Sequence, residues 1–397
     1  MKHIVIIGAG ASGCLCAIEL AKKNKDIKIH LIEKNNRIAK KILATGNGRC
    51  NLSNLKVEPC FYHGDIDDFY PSIVGFDVIE YFSSLGLLTR NIDSLIYPYS
   101  FQAKSVVNIF EKHLRKYQNI EIYLEHEVIK VEAINNKSLK VISNKNLEIT
   151  ADYLVIATGG LASIREQKAG YTLVEQLGYQ IENLSPSLVQ IRTNPYYKDL
   201  KGVKIKAKVS LFRFNKLIRS ELGEVLLTDY GISGICILQL SSEIEYSKIH
   251  DYTIHIDLFN DLSVNQLTKL LKNNINLLKT KKTANILEGL LPLELANKIP
   301  SIFNIKIIDF DSCHGLSNNL KNWIFKVDGT MGFLQAQVTK GGIKGYDVNE
   351  NFALKQSFDV VYACGEVLNI DGDCGGYNLH FAFSSGYRVA KAILGKL

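Results

Sequence analysis

The chain has no apolar run of the roughly 18 residues that a membrane-spanning helix needs, so it does not read as a helical membrane protein. Its eight cysteines (14, 16, 50, 60, 236, 313, 364 and 374) form no C-x-x-C pair and follow no framework spacing. That argues against a zinc site or any other metal centre and against a disulfide scaffold; reduced thiols in a cytoplasm are the expectation. Internal repeats and low-complexity linkers are also missing, which removes repeat arrays and disordered tethers. The opening Met1-Lys2-His3-Ile4-Val5-Ile6-Ile7 imitates an export signal, but a glycine motif and then Glu19 interrupt it. It reads as a strand.

What is present is enough for two or three domains with a sizeable core: 397 residues, 46% hydrophobic and 22% charged. Lysine and arginine number 47 against 40 acids, and the surplus of seven is unevenly placed. Residues 191–345 hold 21 basic and 14 acidic residues, whereas the remainder has 26 of each. Arg192 to Arg219 carries nine basic residues and Asp199 as its one acid. Leu262 to Leu287 carries Lys269, Lys272, Lys279, Lys281 and Lys282 with no acid. Such a run is either a solvated face or a surface for nucleic acid.

Periodicity places a strand at residues 3–7, a helix to about Asn24 and a second strand at Lys28–Glu33, a βαβ start. Helices are expected near 71–85 and 104–117. Ile120–Leu124, Glu127–Val131 and Leu139–Ile142 alternate between turn signals and read as one small antiparallel meander. Tyr153–Ala157 and Val360–Ala363 read as buried strands running into glycine, and 378–394 as a closing helix. In the middle, Val203, Ile205, Ala207, Val209 and Leu211 alternate with Lys204, Lys206, Lys208 and Ser210, as on an antiparallel sheet or barrel wall. From about Ser263 to Trp323 the pattern is helical. The fold class is therefore α/β, a nucleotide domain made from both chain ends with an insert that is part β and part helical.

Gly8-x-Gly10-x-x-Gly13 directly follows the first strand and opens a helix. Its first two glycines allow a tight turn and close approach to a pyrophosphate, and the third allows helix–strand packing. The helix N-terminus offers that anion its N–H groups. Glu33 ends the second strand, where a carboxylate can accept from ribose hydroxyls. The candidate dinucleotide contacts here are Gly8, Gly10, Ala11, Ser12, Gly13, Glu33 and Lys34. A second glycine-rich turn, Gly365-Glu366 then Gly372-Asp-Cys-Gly-Gly-Tyr377-Asn378, opens the last helix. Two such turns at opposite chain ends suit an extended FAD, with the second helix N-terminus facing the flavin N1–C2=O edge. Gly365, Glu366, Gly376, Asn378 and Leu379 are candidates there, against the alternative of a purely structural helix start. A second Rossmann fingerprint is absent, so NAD(P)H as electron donor would dock at the flavin itself. The loop Lys40 to Asn54 is dense in small and cationic residues and supplies Lys41, Gly46, Arg49, Cys50 and Asn51, with a surface loop as the alternative. Val128 in the meander and Ala157, Thr158 and Gly159 after the buried strand complete the set.

These blocks resemble the BaiN-like family of FAD-dependent oxidoreductases. The resemblance rests on Gly8-Ala-Gly-Ala-Ser-Gly13, Ala44-Thr-Gly-Asn-Gly-Arg-Cys-Asn-Leu-Ser-Asn54, Ala157-Thr-Gly-Gly160, Tyr230-Gly-Ile-Ser-Gly234, Gln337-Val-Thr-Lys-Gly-Gly342 and the Gly365–Asn378 string. It implies a glutathione-reductase-like FAD domain (1–190 and 346–397), a β-barrel at 191–262 with its return at 326–345, and a helical subdomain at 263–325. Activities it implies are reduction of conjugated C=C bonds in steroid-type substrates, reduction of a uridine in large-subunit ribosomal RNA to dihydrouridine, and amine oxidation. The sequence departs from the family pattern at Leu161–Gly170 and at Asn351–Lys355. The first departure bears on the substrate side of the flavin.

The leading expectation is a reductase passing hydride to an activated C=C bond, with uridine in ribosomal RNA as the acceptor. The basic insert motivates it: Lys204, Lys206, Lys208 and Arg213 with Tyr196, Tyr197, Phe212 and Phe214 interleaved. A small-molecule reductase or oxidase, and a non-catalytic FAD-bound RNA or assembly factor, are the alternatives. Cys374, then Cys50, with Tyr377 beside them, are the candidate catalytic groups; His380 reads as a structural helix residue. Oligomeric state is left open.

Overall fold

The computed structural model describes the chain apart from residues 136–137, 164–169 and 357–359. Two compact units result, Met1–Ser185 with Val338–Leu397, and Pro186–Gln337.

The first unit is built on β1 (Lys2–Ile7), α1 (Ala11–Lys23), β2 (Ile27–Glu33), β3 (Ile120–Leu124), β4 (Tyr153–Ile156), β5 (Val361–Ala363) and α2 (Tyr377–Leu394). The five strands pair in parallel in the order β5-β4-β1-β2-β3. Central strands of a parallel sheet are covered on both faces and are apolar throughout. Ile4, Val5, Ile6, Leu154, Val155 and Ile156 are accordingly fully buried. α1 packs on α2 so closely that a side chain at Gly386 would begin 2.4 Å from the Ser12 carbonyl. The order reverses direction at β1, and the crevice beyond the strand ends there is where such sheets hold ligands.

Two sequence expectations need correction. Ile120–Leu124 pairs with β2 and not with the meander, which consists of Val128–Asn135, Ser138–Ser143 and Glu148–Ala151. An edge strand of a parallel sheet is half exposed, so it alternates just as a meander strand does. The helix expected over 71–85 is two, Ile66–Val74 and Val78–Ser84. Asp77 starts the second by accepting from the Ile79 and Glu80 amides at 2.9 Å, an N-cap the apolar periodicity hides. The Leu161–Gly170 departure lies largely outside the described residues.

The second unit is a closed six-stranded barrel in the order 191–194, 231–233, 216–227, 204–213, 252–257, 323–330. Ile205, Ala207, Val209 and Leu211 point inward and are buried, while Lys204, Lys206 and Lys208 face out. Four helices, Val264–Leu278, Thr283–Leu287, Leu293–Ile302 and Cys313–Lys321, intervene before the last strand. Ser263 and Gln266 open the first of them with a reciprocal capping box. The closing strand begins at Trp323, inside the segment expected to be helical, because Trp323, Phe325 and Val327 bury alternate side chains in the barrel core. Val338–Lys340 belongs to the first unit.

Among the described residues no helix is long and apolar enough to cross a membrane, and no group of three or more His, Cys, Asp or Glu is arranged to hold a metal ion. All eight cysteines are free thiols.

Candidate functional site

The first glycine turn is shaped by close contact on one side and open space on the other. Gly8 adopts φ +101°, and a Cβ there would lie 2.4 Å from the Ala157 carbonyl; at Gly13 it would lie 2.0 Å from the Gly8 carbonyl. At Gly10 a Cβ would meet nothing within 4 Å. Gly10 precedes α1 and no side chain caps that helix, so the first-turn amides of Ala11, Ser12 and Gly13 are left for an anion. Glu33 is buried and accepts from the Ala9 amide at 2.9 Å and from Asn35 at 2.8 and 2.6 Å. It therefore fixes the turn; a carboxylate has about four acceptor directions, which leaves one for a ribose hydroxyl. Lys34 follows it, partly exposed.

The second glycine turn meets the first. A Cβ at Gly365 would fall 2.6 Å from Ser12 Oγ, and the Ser12 hydroxyl donates to the Cys364 carbonyl at 3.4 Å. Ser385 holds the Gly365 amide at 2.9 Å. Gly376, at φ +95°, heads α2 without a side-chain cap, and a Cβ there would strike the Ser53 carbonyl at 2.5 Å. Asn378 clamps the turn, its Oδ1 accepting from the Gly372 amide at 2.8 Å and its Nδ2 donating to the Gly372 carbonyl at 2.6 Å. Leu379 is partly exposed beside it. His380 is buried, with Nε2 donating to the Ile73 carbonyl at 2.9 Å and Nδ1 accepting from Ser53 Oγ at 2.7 Å. Burial holds this ring's pKa below the ordinary histidine value, so it is a neutral structural strut.

The loop from Lys40 joins both turns. Lys41 Nζ pairs with Glu366 Oε2 at 2.8 Å, and Glu366 Oε1 accepts from the Thr339 amide at 2.8 Å. Gly46 and Asn47 take left-handed backbone, and Arg49 is exposed. Asn51 Oδ1 and Thr158 Oγ1 are buried with no hydrogen-bond partner. Ala157 and Val128 are buried, and Gly159 is partly exposed at φ +69°.

These features fit FAD. Two helix starts lack side-chain caps, the Cys364–Gly365 turn meets the first of them at Ser12, open space lies over Gly10, and a buried amide oxygen at Asn51 lacks a partner. A family model described as the HI0933-like protein Rossmann domain matches residues 2–392. The chain belongs to the HI0933-like family. This is the BaiN-like group of FAD-dependent oxidoreductases that its motifs resemble. Two relatives span nearly the whole chain. A 3-dehydro-bile acid delta(4,6)-reductase of Clostridium scindens is 31% identical over 99% of both chains. A ribosomal RNA dihydrouridine synthase of Haemophilus influenzae is 27% identical over 98% of both. Among solved structures, a quinol-fumarate reductase with menaquinol aligns with a TM-score of 0.48 and 16% identity, covering 99% of this chain and 71% of that one.

Within this HI0933-like site the three catalytic candidates fare unequally. Cys50 is fully buried with φ +60°, and burial pushes its thiol up to about 12, which makes it a poor proton donor. Tyr377 is buried against Phe61 at 4.8 Å and its phenol is pushed up to about 12, by burial first and then by Asp373. Cys374 is partly exposed in the turn between Ile370–Gly372 and α2. Sequence reasoning missed two neighbours, His63 and Asp373, whose side chains meet at 3.1 Å. The Asp371-Gly-Asp373 string was the available signal, but His63 lies 310 residues away in sequence.

The basic barrel strand is less cationic than it reads. Lys204 pairs with Glu224, Arg213 with Glu245 and Asp251, Arg192 with Asp328, Lys201 with Asp229, and Arg219 with Glu221 and Glu243. Five of the nine basic residues between Arg192 and Arg219 are thus paired. Lys206 sits opposite Glu224 in register and Lys208 opposite Asp257. Tyr197 packs on Trp323 and Phe212 on His255, which leaves Tyr196 and Phe214 as the exposed rings.

Proposed function

We propose that this protein reduces a carbon–carbon double bond conjugated to a carbonyl in a small apolar molecule. The carrying observation is the junction of the two glycine turns at Ser12 and Cys364, which suits an extended FAD running from α1 to the head of α2. When bound, FAD supplies the hydride. The first-turn amides of α1 would hold its pyrophosphate and the N–H groups at the head of α2 would hold its ring end, while the Lys41–Glu366 pair and Asn378 keep the second turn in place. The five-stranded parallel sheet with its three-stranded antiparallel meander supports a glutathione-reductase-like arrangement. The donor is NAD(P)H docking at the flavin, and the compartment is the cytoplasm.

A small molecule is favoured over ribosomal RNA by the ion pairs on the barrel. Each acid beside a lysine weakens the field that phosphate neutralisation needs, and counterion release scales with the cations available. The relative named as a bile acid reductase supports the same choice. The test incubates reduced holoenzyme with a steroid dienone and, separately, with ribosomal RNA from cells lacking the gene. Saturated ketone from the first arm, with rates insensitive to salt, supports the proposal. Dihydrouridine from the second arm alone replaces it with the RNA reading, and a flavin that neither is reduced nor reacts would make the protein a non-catalytic factor.

A further inference from the structure

The positive charge of the second unit that acids do not answer lies on its helices. Residues 262–287 and 295–308 contain no acid and carry seven lysines. Lys298 pairs with Asp199 at 2.6 Å, but among the described residues no carboxylate pairs with Lys269, Lys272, Lys279, Lys281, Lys282 or Lys306. The fold gathers four of these six. Helix Val264–Leu278 ends at Lys279 in left-handed backbone, and the chain then runs against the segment that precedes helix Cys313–Lys321. The Ile308 amide donates to the Lys281 carbonyl at 2.8 Å and the Thr283 amide to the Lys306 carbonyl at 3.2 Å, which sets Lys282 opposite Ile307. Lys279, Lys281, Lys282 and Lys306 are therefore neighbours, and all are exposed.

Apolar side chains stand among them. Leu267, Leu271 and Ile275 form the core stripe of the helix, so the core does not need Leu277 and Leu278 in its last turn, and they are 78% and 49% exposed. Ile307 is 62% exposed, and Phe310 lies at the margin with the Lys272 ammonium 5.9 Å over its ring. Two acids flank the acid-free stretches. Asp309 is occupied, its Oδ1 accepting from the Ser312 amide at 2.8 Å and the Ser312 hydroxyl at 2.7 Å, and Glu288 is exposed and paired with none of these lysines.

We propose that this end of the helical insert docks on a lipid bilayer bearing anionic headgroups. Leu277, Leu278 and Ile307 enter the boundary between headgroups and acyl chains, and the lysines around them rest on lipid phosphates with their methylene stems along the apolar layer. The residue types favour a bilayer over the other anionic surfaces. Nucleic acid is gripped by cations interleaved with rings that stack on bases, and aliphatic side chains do not stack. Residues 277–282 and 306–307 supply leucine, isoleucine and lysine, with no aromatic residue and no arginine. Carboxylates on a protein partner are matched best by the arginine fork, whereas an ammonium is a point charge suited to a diffuse field of headgroups. The inference goes beyond the reductase reading and stands without it, although an apolar enone partitions into the same bilayer.

The test floats FAD-loaded protein with vesicles of equal parts phosphatidylglycerol and phosphatidylcholine, and with vesicles of phosphatidylcholine alone. Binding to the mixed vesicles should be at least about tenfold tighter and should weaken with salt. Leu277→Ser with Leu278→Ser should lower it at least about tenfold, and Lys279→Glu with Lys281→Glu and Lys282→Glu at least about 100-fold. Lys206→Glu with Lys208→Glu on the barrel should leave it unchanged. All these side chains are exposed, so melting temperatures should stay within about 2 °C of wild type. Trp323 is the one tryptophan and is buried, so Leu277→Trp adds a reporter whose emission should shift to the blue on mixed vesicles and be quenched by brominated acyl chains. Equal binding to both vesicles, binding to neither, dependence on the lysines without dependence on the leucines, or an unshifted Leu277→Trp emission would overturn the proposal. Ribosomal RNA that binds wild type and not the triple lysine variant, with neither vesicle bound, would overturn it and give the lysines to nucleic acid.

Discussion

Gly10 and Gly13 stand three residues apart in one motif, yet the structure assigns them opposite costs. An alanine at Gly13 places its Cβ 2.0 Å from the Gly8 carbonyl oxygen and 3.3 Å from the Ala157 side chain. A carbon–oxygen contact needs more than 3 Å, so the β1–α1 turn must open by about 1 Å against a sheet whose central strands are fully buried. Overpacking of that kind costs about 3 kcal/mol, a large part of a domain's stability. At Gly10 the same methyl meets no atom within 4 Å, and the backbone is ordinary (φ −79°). Gly10→Ala should therefore leave the melting temperature of flavin-free protein within about 2 °C of wild type. The methyl would occupy the approach to the α1 amides, so FAD affinity should fall at least tenfold, about 1.4 kcal/mol. Calorimetric titration with FAD and thermal melts of the stripped proteins measure both quantities. Wild-type FAD affinity in Gly10→Ala, or a wild-type melt in Gly13→Ala, would refute the assignment of phosphate space to Gly10 and of packing to Gly13.

His380→Ala should cost about 2–4 kcal/mol in urea unfolding, since it strands the Ile73 carbonyl and Ser53 hydroxyl and leaves a cavity. Acid should destabilise the protein through His30, which burial and then His3 hold down to about 4. Its unfolded form binds a proton near pH 6.5 while the folded form does not, so stability is lost as pH falls from about 6.5 to about 4. Melts across that window should show the decline, and His30→Gln should flatten part of it. Lys206→Glu with Lys208→Glu should leave enone turnover within about twofold of wild type and FAD content unchanged, because both lysines lie on a barrel wall beside acids. A tenfold loss with the small substrate would contradict that.

The sheet and both glycine turns were legible because their chemistry is local: an apolar run, a glycine needing positive φ and a helix start fall within a dozen residues. The lysine alternation on 204–213 likewise gave the barrel wall directly. Pairing partners were not legible. Ile120–Leu124 has the alternation of a meander strand, and only assembly shows that β2 is its neighbour. The net charge of the insert counted its acids but could not place them, and the fold sets Glu224 in an ion pair with Lys204 and opposite Lys206. Cys50 read as a reactive thiol in a polar string, whereas the fold turns it inward and the same string presents Arg49 instead. His63 carried no local signal at all, since its partner arrives from the far end of the chain.

The most direct measurement reduces the purified FAD-loaded protein anaerobically with dithionite and mixes it with a steroid dienone. The flavin should regain its oxidised absorbance in a single phase, with one saturated bond formed per flavin. A flavin that stays reduced with every conjugated ketone, or one reoxidised without any saturated product, would contradict the proposed reaction.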